Sequence, residues 1–282
     1  MTNNYKNLDL LAANIRLDIL KMLENAGQGH LGGSLSIVEL LTVLYGKHMK
    51  YDSTKPTSDD RDMLVLSKGH AGPGLYSALA NVGFFDKEVL YTLNKGGTIL
   101  PSHPDRNKTP GVDVTTGSLG QGTSQACGIA TGFKLQHCNR YVYLIVGDGE
   151  LNEGQCWEAF AYLAHYKLDN CIVFIDDNKK QLDGFSKDVM NPFSIPDKMK
   201  AFGFHVKEVD GSSLSEIDKA IITCKSIKDK ALCIVLNTTK GQGIKEYEVM
   251  ADNHSVKFTS DEVLNINHNA INELEKFIKE NR

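Results

Sequence analysis

Apolar residues along this chain follow two spacings. Leu8, Leu11, Ala12, Ile15, Ile19, Met22, Leu23 and Ala26 recur at helical intervals, the pattern of a helix with one buried stripe, and Gly27 supplies its stop. Short apolar runs follow at Met63–Leu66, Tyr141–Val146, Cys171–Ile175 and Ala231–Leu236, and Phe204–Val209 reads the same way. Runs of this length between turn residues predict strands buried on both faces. Helical patterns separate them. One carries Leu75, Leu79 and Val82; another Ala126, Ile129, Ala130 and Phe133; others run from about Glu153 to Tyr166 and from Ser215 to Ile227. A last helix from about Ser260 shows Val263, Ile266, Ile271, Leu274 and Ile278. Strands alternating with helices predict an α/β fold, a parallel sheet flanked by helices, because a helical crossover returns the chain to the same sheet edge. No break marks a domain boundary, so residues 1–282 are expected to form a single domain. Ser36 with Glu39 resembles a capping box opening a helix through about Tyr45. Lys50–Asp62 is polar and predicts a surface loop whose charges face solvent.

Composition narrows the class. A chain of 282 residues can bury a large core. Its net charge of −4, spread along the sequence, gives no reason to invoke nucleic acid or a membrane surface. No apolar run is long enough for a spanning helix, and Met1–Lys6 lacks the apolar core of a signal peptide. The six cysteines form no Cys-x-x-Cys pair and lie mostly in apolar or helical patterns, so reduced core thiols and a cytoplasmic location are expected.

The chemistry concentrates at two strand ends. The run ending at Val146 continues into Gly147-Asp148-Gly149-Glu150, and the run ending at Ile175 continues into Asp176-Asp177-Asn178. Parallel strands place both turns at the same carboxyl edge, where open α/β sheets bind ligands. Asp148 and Asn178 offer hard oxygen ligands of the kind that hold Mg²⁺ together with water and phosphate oxygens. Gly147 and Gly149 let main-chain amides approach a phosphate. An isolated Gly-Asp-Gly is more often an ordinary turn; the matching Asn178 shifts the reading to a diphosphate bridged by a divalent cation.

Four of the nine histidines lie in loops rich in Gly or Pro: His30 in Gln28–Gly33, His70 in Ser67–Gly72, His103 in Pro101–Asp105, and His254 beyond Thr238–Gly243. His70 stands between a strand and a helix start, a natural anion site. Without Cys or Asp at metal spacing, these histidines argue against zinc and suit a substrate rich in hydroxyls, carbonyls and phosphate. His48, His137, His165, His205 and His268 sit in helix or strand patterns and are expected to be structural or solvated. Thr115–Gly122 is another Gly-rich loop, without the Lys-Ser/Thr of a Walker site.

Gly147-Asp148-Gly149 with the distant Asn178 looks like the thiamine-diphosphate motif, and the longer string through Ala159, with Glu153-Gly154-Gln155-Cys156-Trp157-Glu158, closely resembles transketolases. The resemblance runs from about residue 8 to residue 258 and covers only their N-terminal, diphosphate-binding part. It implies a thiamine-diphosphate-binding fold with thiamine diphosphate and Mg²⁺, or another divalent cation such as Ca²⁺ or Mn²⁺, as cofactors. Asp148, Asn178 and the main-chain carbonyl of Lys180 would hold the metal. His70 and Gly149 would touch the diphosphate beside Gly147 and Glu150, and Gly117 and Leu119 would cover the cofactor. His30, His103 and His254 would line the sugar channel as catalytic residues, and Glu153 and Glu158 would lie in the network between two active sites. Position 180 is usually apolar in the family, and the surroundings of His254 depart from its pattern. The family's catalytic Glu belongs to the pyrimidine-binding domain, C-terminal to everything present here. The implied protein is therefore the N-terminal subunit of a split transketolase of carbohydrate metabolism, such as the pentose phosphate route. It would be active only with a C-terminal partner subunit, in a heterotetramer acting on sugar phosphates. The alternatives are an α-type subunit of a 2-oxo acid dehydrogenase, a 1-deoxyxylulose-5-phosphate synthase-like protein, and a regulatory cofactor-binding module without catalysis.

Overall fold

A computed structural model describes the backbone of residues 2–282 and the side chains from residue 7 onward. Five strands make the central sheet: β1 (Met63–Leu66), β2 (Val142–Gly147), β3 (Cys171–Asp177), β4 (His205–Asp210) and β5 (Leu232–Asn237). They lie in the order β1-β2-β3-β5-β4, and every pairing is parallel. Every residue of β2 and β3 is buried, which explains why these strands read as unbroken apolar runs.

The two-residue period of a strand divides the core. Tyr143, Ile145, Ile172, Phe174, Ile234 and Leu236 face a layer containing helices Thr2–Ala26, Val38–Val43, Gly72–Asn81 and Leu214–Ser226. Their neighbours Leu144, Val146, Val173, Ile175, Cys233 and Val235 face the opposite layer, with helices Gln121–Leu135, Gly154–His165 and Ile195–Ala201. The expected parallel sheet covered on both faces is therefore present. Helix Asp261–Asn281 packs on the first of these layers, where Ala270 joins its core. Ser260 caps it by accepting from the Val263 amide, and Ile278 packs on Ala13 and Leu17 of the first helix. All six cysteines are free thiols, and no described helix is long and apolar enough to cross a membrane.

Two expectations need correction. The Ser36/Glu39 capping box does not form: a short helix already begins at Gly32, and Val38–Val43 starts without a side-chain cap. Tertiary partners take both side chains. The Ser36 hydroxyl donates to Asp176, and Glu39 accepts from Arg16 and Gln242. Nor do all charges of Lys50–Asp62 face solvent. Arg61 pairs with Asp113 in the interior, and Asp62 accepts the amides of Lys50 and Tyr141, fastening the loop to the start of β2.

Candidate active site

The carboxyl ends of β1, β2, β3 and β5 open onto one cavity. Asp148 and Gly149 follow β2, Asn178 and Lys180 follow β3, Lys68 and His70 follow β1, and Lys240 follows β5. His30, His103, His254, Gly117 and Leu119 complete its wall, so residues spread from position 30 to position 254 converge. Among the sequence-predicted site residues, only Glu153 and Glu158 lie outside this wall, both on exposed surface of the chain.

Asp176, the penultimate residue of β3, organises the floor. It is fully buried and accepts from Ser36 Oγ (2.7 Å), Asn178 Nδ2 (2.8 Å), Thr238 Oγ1 and Lys68 Nζ. Burial alone would raise its pKa; the Lys68 charge and these donors outweigh burial and hold it below the usual carboxylate range. Because a carboxylate must accept, the Asn178 amide presents its NH₂ to Asp176. Its Oδ1 is thereby left to the Lys180 amide (3.2 Å) and the cavity. Asp148 is likewise buried. Burial, with the charges of Asp176 and Asp177, pushes its pKa up to about 6 against a 2.6 Å hydrogen bond from Ser186 Oγ. A buried carboxylate held at this cost is a site that a cation would stabilise.

Glycines bring the backbone close to the cavity at two points. A Cβ on Gly69 would sit 2.7 Å from the amide nitrogen of Gly117, so the His70 turn and the 115–122 loop touch main chain to main chain. A Cβ on Gly149 would sit 2.7 Å from Cβ of Gln181. Glu150 fixes the surrounding turns: its carboxylate accepts from the amides of Gly120 (2.8 Å) and Gly147 (3.1 Å) and from Ser67 Oγ. It reaches the cavity wall, but its hydrogen bonds serve the glycine loops.

Opposite the floor, the four loop histidines form one cluster. The His30 ring centre lies 5.7 Å from His70, 5.7 Å from His103 and 5.3 Å from His254, and His70 lies 4.9 Å from His254. A two-strand pairing sets this up: Gln28–Gly29 runs antiparallel to Val256–Lys257, with Gly29 opposite Val256. Burial is the first cause depressing all four pKa values, with neighbouring lysine or histidine charges adding to it for all but His103. His70 falls well below the ordinary value and His254 falls to about 4. The cluster is therefore neutral near pH 7 and able to donate, accept or take up a proton. Lys240, itself lowered to about 8 mainly by burial, places Nζ 2.9 Å from His254 Nδ1. An ammonium only donates, so Nδ1 accepts and the His254 proton sits on Nε2.

Sequence reasoning missed Lys68, Asp176, Gln181 and Lys240 as parts of this site. Lys240 Nζ also lies 3.4 Å from the Lys180 carbonyl oxygen and 3.3 Å from that of Gln181. The Lys180 ammonium turns away to the Met250 carbonyl (2.9 Å), so the unusual side chain does not crowd its own main-chain oxygen.

Known proteins resemble this chain in sequence and fold. A family model described as transketolase, thiamine diphosphate binding domain, matches residues 8–278. The chain is 46% identical over 248 residues to the 6-deoxy-6-sulfo-D-fructose transketolase subunit SqwG of Clostridium sp. (strain MSTE9), covering 88% of this chain and 90% of that protein. It is 38% identical over 263 residues to an apulose-4-phosphate transketolase subunit from Actinobacillus succinogenes, covering 92% and 94%. The solved transketolase of Campylobacter jejuni superposes with a TM-score of 0.86 at 30% identity, over 94% of this chain but 43% of that one. The chain thus spans nearly the full length of the two subunits and less than half of the longer enzyme.

Proposed function

The chain belongs to the transketolase family, through its thiamine-diphosphate-binding domain, and on that premise we propose that it is the diphosphate-binding subunit of a two-subunit transketolase. The observation that carries this reading is the convergence of Asp148, Asn178 and four neutral loop histidines on one cavity at the carboxyl edge of the sheet. Residues 1–282 are taken as one such domain.

The residues fit the cofactor. Among the described residues no three His, Cys, Asp or Glu side chains gather to hold a metal by themselves. Asp148 and Asn178 supply only part of a hard-oxygen shell, as expected where a Mg²⁺ ion shares its remaining positions with water and phosphate. Gln181 packs against the bare face of Gly149, and its buried Nε2, which has no partner, leaves a free donor in the same wall. In this reading Asp148, Asn178 and the Lys180 carbonyl hold the cation, and His70 and the Gly149 amide face the diphosphate. Lys240 would give up its two carbonyl contacts when the cation arrives. Gly117 and Leu119 would cover the cofactor.

Thiamine diphosphate, when bound, supplies the carbon nucleophile and electron sink for moving a two-carbon ketol unit. This chain's own contribution is to anchor, orient and move protons. His30, with His103 and His254 each beside it and all three neutral, would hydrogen-bond the hydroxyls of a ketose and accept or return a proton at its oxygens. Nε2 of His254 is its donating atom. The acid that faces the aminopyrimidine comes from the partner subunit, which also completes a heterotetramer of two copies of each chain. Glu153 and Glu158, exposed in the chain alone, would be covered there.

The related subunits are named for a sulfo sugar and for apulose 4-phosphate, so the donor panel extends beyond pentose phosphates. Ketol transfer to ribose 5-phosphate is measured with thiamine diphosphate and Mg²⁺ from xylulose 5-phosphate, apulose 4-phosphate and 6-deoxy-6-sulfo-D-fructose. The assay is run on this chain alone and with the purified C-terminal subunit. Transfer only by the mixture is the expected result; robust transfer by the chain alone overturns the two-subunit reading.

A further inference from the structure

Asn253 stands directly before His254 and is 1% exposed. Its amide nitrogen carries two hydrogens, and both go to carbonyl oxygens of other segments, Lys240 (2.8 Å) and Tyr247 (2.7 Å). Its own main-chain oxygen accepts from the Gly32 amide (2.9 Å), and the Gly32 oxygen accepts from the Gly241 amide (3.1 Å). One residue thereby joins the loop of His30, the loop of Lys240 and the segment that carries His254. The contacts are close. A Cβ on Gly32 would sit 2.6 Å from the Asn253 oxygen and 2.7 Å from Lys240 Cγ, and a Cβ on Gly241 would sit 2.8 Å from the Tyr247 carbonyl. Regular structure does little to hold this part of the chain. Between β5 and the last helix it consists of one short helix, Lys245–Val249, and the two-residue strand Val256–Lys257.

We infer that Asn253 is a positioning residue for ketol transfer: it stands behind the cavity wall, and its side chain holds Lys240 and His254 in register with each other and with His30. The inference rests on the two-subunit reading above and adds a residue outside the site that reading describes. Lys240 Nζ and His254 Nδ1 are 2.9 Å apart, and the His254 ring lies 5.3 Å from that of His30. Fourteen positions of mostly irregular chain separate Lys240 from His254. Without a cross-link each would sample several positions, and a displacement of about 1 Å at a hydrogen-bonding group can cost on the order of a hundredfold in rate. The cross-link is specific in its chemistry. Both contacts need a hydrogen to give, and a carboxylate of the same shape would set oxygen against oxygen. A second tie lies beside it. Tyr247 Oη donates to Asn267 Oδ1 (2.9 Å), and Asn267 Nδ2 donates to Glu24 (2.6 Å), joining the segment to the last and first helices. That tie makes no hydrogen bond to Lys240 or His254, so breaking it loosens the fold without releasing either.

The test reads His254 by NMR titration in the cofactor-free chain, and ketol transfer with the purified C-terminal subunit, thiamine diphosphate and Mg²⁺. In the parent His254 is held at about 4, chiefly by burial and next by the Lys240 charge. Asn253→Ala releases both groups, so His254 should titrate closer to the ordinary histidine value and kcat should fall about tenfold or more. Asn253→Asp, of nearly unchanged volume, should do the same. Gly32→Ala leaves Asn253 in place but forces its oxygen and Lys240 away from the His30 loop, and should move His254 in the same direction. Tyr247→Phe should lower the urea midpoint while His254 titrates as in the parent and kcat stays within about twofold. His254 unmoved in both Asn253→Ala and Gly32→Ala, or moved as far by Tyr247→Phe, overturns the inference and leaves the two-subunit reading standing. So does a kcat of Asn253→Ala within about twofold of the parent. No ketol transfer by the parent pair at any ratio removes that reading, and the inference with it, whatever His254 does.

Discussion

Replacing Lys68 or Asp176 tests whether the floor of the site is held by a buried ion pair. Lys68 and Asp176 are 1% and 0% exposed, so each would be a bare charge in the interior without the other. Two unit charges a few ångströms apart attract by about 4 kcal/mol at the effective dielectric of such sites, while each costs several kcal/mol to bury, so the intact pair is close to neutral. Removing one member is not neutral. In Asp176→Asn, Lys68 loses its counter-charge and keeps only neutral acceptors such as Ser36 Oγ at 3.4 Å, and a loss of about 3–5 kcal/mol is expected. In Lys68→Met, Asp176 keeps donors from Ser36, Asn178 and Thr238, which places the loss nearer about 2–3 kcal/mol. The double variant should recover about 2 kcal/mol relative to the sum of the singles. Urea unfolding of the cofactor-free chain at neutral pH measures all three, and a loss of about 3 kcal/mol moves the midpoint by about 1 M.

The pH dependence carries a further sign. In the parent, the folded pKa of Asp176 lies below its unfolded value, so its contribution to stability is present above the unfolded pKa and is lost as pH falls through the folded one. Without Lys68, burial dominates and the folded pKa rises, so the deficit of Lys68→Met is largest near neutrality and shrinks on mild acidification. Single variants within about 1 kcal/mol of the parent, or a strictly additive double, would refute the reasoning.

Gly149→Ala places a methyl carbon 2.7 Å from Gln181 Cβ and should weaken thiamine diphosphate binding about tenfold or more by calorimetry; adding Gln181→Gly should restore most of it. His254, lowered to about 4 chiefly by burial, should titrate near that value by NMR, and its shift should relax upward in Lys240→Met. Its folded pKa lies below the unfolded one, so the unfolded chain binds the extra proton between the two values and stability falls as pH drops below about 6.5. After discounting for its partial exposure this costs about 1 kcal/mol near pH 5, and His254→Gln should lose that part of the acid sensitivity. Lys180→Leu removes one hydrogen bond to the Met250 carbonyl, about 1 kcal/mol, and should leave Mg²⁺ affinity within about twofold, because the proposed ligand at that position is the main chain.

The strands of the sheet were legible because burial on both faces writes them as apolar runs, and the two turns at its edge because Gly, Asp and Asn mark such places. Boundaries shifted by single residues: β4 spans His205–Asp210 where Phe204–Val209 was expected, since Phe204 packs in the core without joining the ladder. The four histidines were separable from the other five by their loops, yet only the fold shows that they touch. Lys68, Asp176 and Lys240 were illegible for a physical reason. Lysine in a polar loop ordinarily faces water, and nothing local announces that a strand 108 residues away supplies its carboxylate. The Ser36/Glu39 pattern misled for the converse reason, because its local cap lost to distant partners. The exposure of Phe185, Val189 and Met190 was hidden behind the turn residues Asp183-Gly184 and Asn191-Pro192, which marked loops and said nothing of the apolar side chains between them.

The pairing of Gln28–Gly29 with Val256–Lys257 has a consequence for how the protein is made. His30 leaves the ribosome long before the strand that brings His254 against it. Helix Asp261–Asn281, which packs on the first helix, emerges later still. The core layers can condense while synthesis continues, because their strands and crossovers are closer in sequence. The histidine cluster cannot. A chain interrupted before residue 254 would carry the Asp148 and Asn178 turns without the wall facing them, so a complete site also certifies that synthesis has passed the His254 segment.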